Sequence, residues 1–138
     1  MHATNRCLTK YCRNRNQRGQ YCYKCAQRRW REANPLRDAF LNLRNSAKRR
    51  YIPFEISFDY YCDFAAKYDY LNHRGKMAHS FTVNRIDSTK GYIEGNIEMI
   101  TNAANVAQGN RERALDHVWH KLQGCKIKPE PNPDNEPF

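Results

Sequence analysis

Apolar residues recur at helical spacing in the part of the chain that precedes Pro53. One helical face carries the set Leu36, Phe40, Leu43 and Ala47. Asn34 stands before this set as an expected N-cap, and Pro35 as the first helical residue. The helix should end before Pro53, because proline disfavours helical backbone at the residue that precedes it. The pattern predicts an amphipathic helix with Arg37, Arg44 and Lys48 off its apolar stripe.

Two further helices are predicted on either side of this one. Residues 26–34 have a helical composition and are expected to project three basic side chains, Arg28, Arg29 and Arg31. Ser57 is expected to cap a helix that runs to about Leu71. The inward face of that helix should hold Phe58, Tyr61, Cys62 and Ala65. Its aromatic side chains could also stack on nucleic-acid bases, although packing in the core is the favoured interpretation.

After residue 78 the pattern alternates, which is typical of strands. Residues 79–86 (HSFTVNRI) predict one strand and residues 96–100 (NIEMI) a second. The glycine-containing stretch between them predicts a loop with a short strand near its end. Thr101 should cap a final helix that breaks or bends near Gly109 and has an apolar face formed by Leu115, Val118, Trp119 and Leu122. Residues 126–138, with four prolines, predict a flexible tail.

Composition and charge narrow the class of protein. The chain has 138 residues and a net charge of +10, with 40% hydrophobic residues, enough for one small core. No segment approaches the roughly 20 apolar residues of a membrane-spanning helix, and MHATNRC lacks the apolar region of a secretory signal. These features predict a soluble, cytoplasmic protein with no membrane partner.

The positive charge lies in the first 50 residues. They contain 14 Lys and Arg against 2 Asp and Glu, a balance of +12, whereas residues 51–138 have a balance of −2. Eleven of the 14 are arginines, which bind phosphate in a bidentate manner. Nucleic acid is the expected partner, and the alternative is a solvated basic face. The candidate contacts are Arg28, Arg29, Arg31, Arg37, Arg44, Lys48, Arg49 and Arg50, with Lys90 from the later loop.

Four of the six cysteines cluster in the sequence with the spacing C-x4-C-x9-C-x2-C. They are Cys7, Cys12, Cys22 and Cys25. Two close pairs can supply four thiolates to a structural zinc ion, which then has no open position for catalysis. Disulfide bonds and a redox role for the second pair are the alternatives, and a reducing compartment disfavours disulfides. Cys62 is expected to be a buried small hydrophobic residue, and Cys125 stands alone.

Residues 83–105 contain the tripeptides R-I-D and K-G-Y and the dipeptide G-N, followed later by an asparagine. The matching residues are Arg85, Ile86, Asp87, Lys90, Gly91, Tyr92, Gly95, Asn96 and Asn105. This string resembles the phage-type variety of the HNH, or ββα-metal, endonuclease motif. Relatives of this type also have a four-cysteine module and basic helices upstream. The resemblance implies a phage-encoded protein in the host cytoplasm that hydrolyses phosphodiester bonds, in DNA rather than RNA.

The resemblance also implies roles for individual residues. It implies one Mg²⁺ or Mn²⁺ ion that stabilises the leaving oxygen, and a general base that activates water. Asn84 falls on a metal-ligand position, Arg85 on the general-base position and Asn96 on the brace of the loop. Asn105 falls on the helical ligand position, with Asn102 as a substitute, and Asp87 is a further candidate ligand beside Asn105.

Two of these residues depart from the family's pattern. Arg85 cannot accept a proton near neutral pH, because its pKa exceeds about 12, and Asn84 adds no charge to a metal site. Arg85 and Lys90 could instead clamp a phosphate, and Tyr92 should pack beneath the loop. His79 is a possible base, but six strand residues would hold it about 20 Å from Arg85. His73, in the preceding loop, is a second possibility.

Together these patterns predict a mostly helical α+β protein with an HNH-like ββα unit and an N-terminal zinc module. The expected divisions are residues 1–33 for the zinc module and its basic helix, 34–75 for the basic and aromatic helices, 76–125 for the HNH-like unit and 126–138 for the tail. The expected function is metal-dependent hydrolysis of DNA. The alternative is a catalytically inactive HNH-fold zinc protein that binds DNA, RNA or a host protein as a phage regulator.

Overall fold

The computed structural model describes residues 6–16 and 19–122 as a small mixed α+β domain. Within those ranges there are five helices and one antiparallel sheet of two strands. The elements are α1 (Tyr23–Ala33), α2 (Pro35–Arg49), α3 (Phe58–Lys67), α4 (Tyr70–His73), β1 (Phe81–Arg85), β2 (Ile97–Thr101) and α5 (Asn102–Leu122). The mostly helical α+β class is therefore confirmed. The predicted tail and Cys125 lie outside the described residues.

Helices α1 and α2 meet at Asn34, whose role differs from the prediction. Asn34 does precede Pro35, but its side chain does not cap α2. Its amide nitrogen donates instead to the Trp30 carbonyl at 2.9 Å, as does its backbone N–H. The residue therefore satisfies a free carbonyl at the end of α1. The predicted apolar stripe of α2 is confirmed, since Phe40 and Ala47 are buried and Leu36 and Leu43 pack against the core.

Phe40 is the centre of an aromatic core between α2, α3 and the loop that follows α2. Its ring lies 5.5 Å from that of Phe54, 5.3 Å from Phe58 and 5.4 Å from Tyr61. These are tilted and edge-on contacts, which aromatic pairs prefer. The aromatic side chains of α3 thus pack inward, and Tyr61 is 1% exposed.

Helix α3 begins as predicted but ends early. The Ser57 hydroxyl accepts from the Tyr60 backbone N–H at 3.1 Å, which confirms the N-cap. The helix stops at Lys67 rather than near Leu71, because Asp69 adopts left-handed backbone with φ 49°. Aspartate tolerates this conformation better than most residues, and the short helix α4 follows it. Cys62 is only partly buried, so the expectation of a buried thiol was wrong.

The two strands are where the alternation predicts them, but β1 is shorter. It begins at Phe81, because the preceding residues form a turn in which the Ser80 N–H donates to the Met77 carbonyl at 3.1 Å. His79 therefore lies in a turn and not in the strand. The short strand expected in the loop is reduced to one bridge between Tyr92 and Phe54. The register pairs Asn84 with Glu98 and Arg85 with Ile97.

Helix α5 follows β2 directly and packs on both strands. Its cap is confirmed, since the Thr101 hydroxyl accepts from the Ala104 N–H at 3.2 Å. The helix does not break at Gly109 but continues to Leu122, since one glycine weakens a helix by only about 1 kcal/mol. The apolar set Leu115, Val118, Trp119 and Leu122 is exposed. In the described residues, no helix is long and apolar enough to cross a membrane.

Candidate functional site

The four clustered cysteines are brought together by a short turn and the start of α1. The Cys7 N–H donates to the Asn14 carbonyl at 3.2 Å, and the Cys12 N–H to the Thr9 carbonyl at 3.0 Å. These bonds fold the first pair into a compact turn. Cys22 is the N-cap of α1, and Cys25 lies in its first turn. The second pair is therefore held by a helix and the first by a turn.

The sulfur atoms of this cluster have the spacing of a tetrahedral metal site. All four Sγ atoms lie within 4.8 Å of one another. The Cys12 Sγ is 3.8 Å from that of Cys22 and 3.7 Å from that of Cys25. Four sulfurs about 2.3 Å from one zinc ion would be separated by roughly 3.8 Å. Four thiols at this spacing can hold a metal ion, and the geometry is compatible with structural zinc.

Polar neighbours favour the thiolate form at two of these cysteines. The hydroxyl of Thr9, 3.5 Å from the Cys7 Sγ, lowers the pKa of Cys7 to about 6. The backbone N–H of Cys25 and the side-chain amide of Asn14, 3.6 Å away, lower the pKa of Cys22. The thiolate is the form that binds metal. At Cys12, against the lowering effect of the Asn14 backbone hydrogen bond, burial and the neighbouring thiols of the cluster raise the pKa to about 11. The surroundings therefore favour the thiolate at Cys7 and Cys22 but not at Cys12.

The loop between the strands, residues 86–96, is braced by Asn96. This side chain is buried, its Oδ1 accepts from the Asp87 N–H at 2.9 Å, and its Nδ2 donates to the carbonyls of Gly91 (2.9 Å) and Asp87 (3.1 Å). One amide thus joins both sides of the loop. The sequence interpretation placed a loop brace at this position.

The side chains of Arg85 and Asp87 both make their contacts with residues of this loop. One guanidinium nitrogen of Arg85 donates to the carbonyls of Ser88 at 2.6 Å and Lys90 at 2.8 Å. The Asp87 carboxylate accepts from the hydroxyl and backbone N–H of Thr89, and lies 3.7 Å from the Lys90 ammonium. The Thr89 hydrogen bonds, with the Lys90 charge, lower the pKa of Asp87. Both residues therefore shape the loop.

The K-G-Y residues join this loop to the helical core. The Tyr92 N–H donates to the Pro53 carbonyl at 2.8 Å, and Tyr92 is buried beneath the loop as predicted. A Cβ at Gly91 would lie 2.5 Å from the Pro53 carbonyl oxygen, so only glycine fits there. The Tyr92 hydroxyl accepts from the Arg50 guanidinium at 3.1 Å. Arg50, predicted to contact phosphate, thus already has an internal partner.

The side chain of Asn84 meets two residues that the sequence analysis did not identify. Its amide nitrogen donates to Glu98 Oε1 at 3.0 Å and to Gln108 Oε1 at 2.9 Å. Glu98 comes from the paired position on β2 and Gln108 from α5. Glu98 is the residue paired with Asn84 in the strand register. That register depends on the length of the loop between the strands, which the sequence alone did not give. Gln108 requires the packing of α5, which no local pattern specifies.

In the described residues, the two asparagines of α5 that were predicted as metal ligands, Asn105 and Asn102, are not hydrogen-bonded to Asn84. Asn105 is exposed on α5, and the structure brings Gln108, not Asn105, to Asn84. Asn102 donates to the carbonyls of Gly75 (3.0 Å) and Met77 (2.9 Å), which anchors α5 to the preceding turn. Within residues 6–16 and 19–122, the four-cysteine cluster is the one group of three or more His, Cys, Asp and Glu that could hold an ion.

The two candidate histidines lie near the start of β1, away from Arg85 at its end. His73 stacks on Phe81 with 5.2 Å between ring centroids, and its Nδ1 lies 3.6 Å from the Asp69 carboxylate. Phe81 and Arg85 are four strand residues apart, which is about 13 Å. Both histidines therefore precede or adjoin the start of β1, at the opposite end of the strand from Arg85.

The basic residues of the helices divide into engaged and free groups. Arg29 stacks on Tyr21 and Arg37 on Phe58, while Arg31 lies 3.6 Å from the Asp38 carboxylate and Arg28 lies 3.9 Å from the Cys25 sulfur. The free group on α2 is exposed and, in the described parts of the chain, has no ion-pair or hydrogen-bond partner for its side chains. It consists of Arg44, Lys48 and Arg49.

The candidate site thus has three parts: the cysteine cluster, the free cations of α2, and the Asn84, Glu98 and Gln108 group. No protein-family model matches the chain, and no curated protein or solved structure matches it. Its function is therefore inferred from the geometry and charge of this chain alone.

Proposed function

We propose that this protein is a zinc-stabilised nucleic-acid-binding protein that grips the phosphate backbone of DNA with its N-terminal half. One observation carries the proposal: Arg44, Lys48 and Arg49 are exposed on α2 and have no internal partner in the described residues. Unpaired cations on one rigid helix favour a polyanion, since each phosphate contact releases condensed counterions. Arg28 and Arg29 lie on α1, which packs against α2.

In the proposal, zinc holds the N-terminal module, residues 6–33, which precedes α2. The four thiolates would complete a tetrahedral shell, so the ion would have a structural role and no open position for substrate. Bound zinc supplies a crosslink between the turn at Cys7 and Cys12 and the start of α1. A chain region with so few buried residues gains most of its folding free energy from such a crosslink. In the described part of that module the buried residues are Cys7, Cys22 and Cys25, whereas α2 is held by the Phe40 core.

The binding proposal is tested by removing the free cations of α2. A triple variant, Arg44→Gln, Lys48→Gln and Arg49→Gln, should bind a fluorescent DNA duplex at least about tenfold more weakly at 0.1 M salt. A matched control removes three charges elsewhere, at Lys67, Lys76 and Lys121. Anisotropy titrations should show near wild-type affinity for the control. Equal affinity of all three proteins would refute α2 as the grip, and binding only to an acidic host protein would refute the nucleic-acid partner.

A second candidate function, phosphodiester hydrolysis, is favoured by the group around Asn84. Glu98 and Gln108 direct two oxygens at one amide nitrogen of Asn84. Oxygen atoms are the ligands that Mg²⁺ and Mn²⁺ prefer. If the Asn84 amide rotated, three oxygens from β1, β2 and α5 would face one point. Glu98 would then supply the only negative charge of the three.

Plasmid nicking separates this candidate from binding alone. Zinc-loaded protein is incubated with supercoiled plasmid in Mg²⁺, Mn²⁺ or EDTA. If the protein is a nuclease, Glu98→Gln should abolish nicking, while Asn84→Asp should strengthen it by adding a carboxylate. Asn105→Ala, on the exposed side of α5, is the matched control. Activity lost in Asn105→Ala and Asp87→Ala but kept in Glu98→Gln would support the residue roles implied by the HNH resemblance instead.

A further inference from the structure

A cleft of about 450 Å³ lies beside the cysteine cluster, and its lining is polar, unlike the apolar core. The described residues that line it are Arg6, Cys12, Arg13 and Arg15. Arg6 and Arg15 form an antiparallel bridge, and the adjacent Cys7 N–H donates to the Asn14 carbonyl at 3.2 Å. The backbone that positions Cys7 therefore also positions two of these arginines.

The bridge places two like charges in an unfavourable arrangement. Residues directly opposite each other in an antiparallel pair have their side chains on the same face, and like charges there destabilise the pair. All three arginines are exposed, and none has an ion-pair or hydrogen-bond partner for its side chain in residues 6–16 and 19–122. An anion bound between them would remove the repulsion.

The cysteine cluster itself does not neutralise this charge. Four thiolates around one Zn²⁺ carry a net charge of about −2, and Arg28, at 3.9 Å from the Cys25 sulfur, already offsets part of it. Residues 6–31 contain Lys and Arg but no Asp or Glu. A net positive charge therefore remains around the cleft with zinc bound.

We propose that this cleft binds a phosphate group of the nucleic-acid backbone through the guanidinium groups of Arg6, Arg13 and Arg15. Guanidinium presents paired N–H donors that match two phosphate oxygens, and three of them around one cleft can surround the anion. The zinc module is then a second point of contact with nucleic acid, separate from α2. That the phosphate belongs to nucleic acid rests on the proposed function; the anion site itself does not.

The first test uses inorganic phosphate and thermal stability. Phosphate at constant ionic strength, compared with chloride, should raise the Tm of the zinc-loaded wild-type protein. The rise should be absent in the triple variant Arg6→Gln, Arg13→Gln and Arg15→Gln, and present in the control triple variant Lys67→Gln, Lys76→Gln and Lys121→Gln. A rise of equal size in both triple variants, or none in the wild type, would overturn the anion site. Zinc content per chain verifies that each variant is folded.

The second test asks whether the phosphate comes from nucleic acid. The cleft variant should bind a DNA duplex more weakly, and its salt slope should be smaller by roughly 0.9 for each phosphate that the variant no longer neutralises. Phosphate stabilisation with an unchanged DNA slope would overturn the nucleic-acid assignment in favour of a free phosphate. If wild-type protein binds no DNA but is stabilised by phosphate, the proposed function fails and the anion site stands.

A conservative variant protects the tests against simple unfolding. Arg6→Lys, Arg13→Lys and Arg15→Lys keep the charge but remove the paired donors. Partial phosphate stabilisation in this variant supports bidentate recognition. Full wild-type stabilisation would contradict it, because a diffuse positive field would then be sufficient.

Discussion

The loop of residues 86–96 and the exposed side of α2 both carry charged residues, but those residues have different surroundings. In and beside the loop, Arg85 donates to two backbone carbonyls, and the Asp87 carboxylate is held by Thr89 and Lys90. On α2, Arg44 and Lys48 have no such partners in the described residues. Charged side chains that shape a loop are constrained in position, whereas free ones can contact a ligand.

The residues that carry the family resemblance are therefore not the same as the residues that could carry out chemistry. The R-I-D, K-G-Y and G-N residues, which carry the resemblance to HNH endonucleases, mostly organise the loop. Asn96 braces it, Gly91 permits its approach to Pro53, and Tyr92 joins it to the core. The residues with oxygen atoms directed at Asn84 are Glu98 and Gln108, which lie outside those short motifs. A motif can therefore specify a loop conformation without specifying a catalytic group.

The largest expected effect comes from the cysteine cluster, on which the N-terminal module depends. Cys22→Ser, or removal of zinc by a chelator, should unfold the N-terminal module, because structural zinc contributes on the order of 10 kcal/mol to such small units. Zinc content should fall from one ion per chain, with loss of helical circular dichroism from α1. Cys62→Ser, outside the cluster, should keep both. Wild-type zinc content in Cys22→Ser would refute the four-cysteine site.

The next largest effect on stability is expected at Asn96, whose side-chain amide braces the loop of residues 86–96. Asn96→Ala removes three hydrogen bonds and leaves the Gly91 carbonyl and the Asp87 N–H without the partner that Asn96 supplied, so the free energy of unfolding should fall by about 3 kcal/mol. Urea denaturation measures it. Asn42→Ala, at an exposed position on α2, is the control and should change stability little. If both substitutions cost the same, the loop is not braced by this amide.

Gly91 should be sensitive for a steric reason. Gly91→Ala places a methyl group 2.5 Å from the Pro53 carbonyl oxygen and should destabilise the fold by about 2 kcal/mol. Gly109→Ala is the matched change in α5, where the nearest heavy atom is 3.9 Å away. It should stabilise the helix by up to about 1 kcal/mol. The two substitutions should thus shift Tm in opposite directions, and equal shifts would contradict the close approach at Pro53.

The smallest effect concerns pH. Because Thr89 and Lys90 favour the Asp87 carboxylate, the pKa of Asp87 is lowered from its ordinary 3.8. A carboxyl with a lowered folded-state pKa adds stability above its unfolded pKa, and that stability is lost as pH falls. The difference between wild type and Asp87→Asn should be constant above about pH 5 and shrink below about pH 4. A difference that grows on acidification would contradict the loop contacts.

The sequence predicted those parts of the fold that depend on local chemistry. The apolar stripe of α2, the caps at Ser57 and Thr101 and both strands are set by spacing and by short side chains next to helix ends. The four cysteines are close because their spacing permits a turn. The early end of α3 at Lys67 depends on the left-handed backbone of Asp69, which the sequence does not mark.

The candidate site was less predictable because its residues come from separate elements. Asn84 contacts Gln108 on α5, 24 positions away, and this depends on how α5 packs against β1. Alignment to a motif gave Asn105 instead, which is exposed three residues earlier on the helix. Three residues differ by most of a helical turn, so a small shift in alignment selects a different side chain. Only the packed structure decides between them.

The most direct test of the central claim is the salt dependence of DNA binding by the zinc-loaded chain of 138 residues. Fluorescence anisotropy with a labelled duplex measures Kd at salt concentrations from about 50 to 200 mM. If the unpaired cations bind the phosphate backbone, log Kd should rise steeply and linearly with the logarithm of the salt concentration, with a slope of roughly 0.9 per phosphate contact. Absence of binding, or a Kd that does not change with salt, would contradict the account.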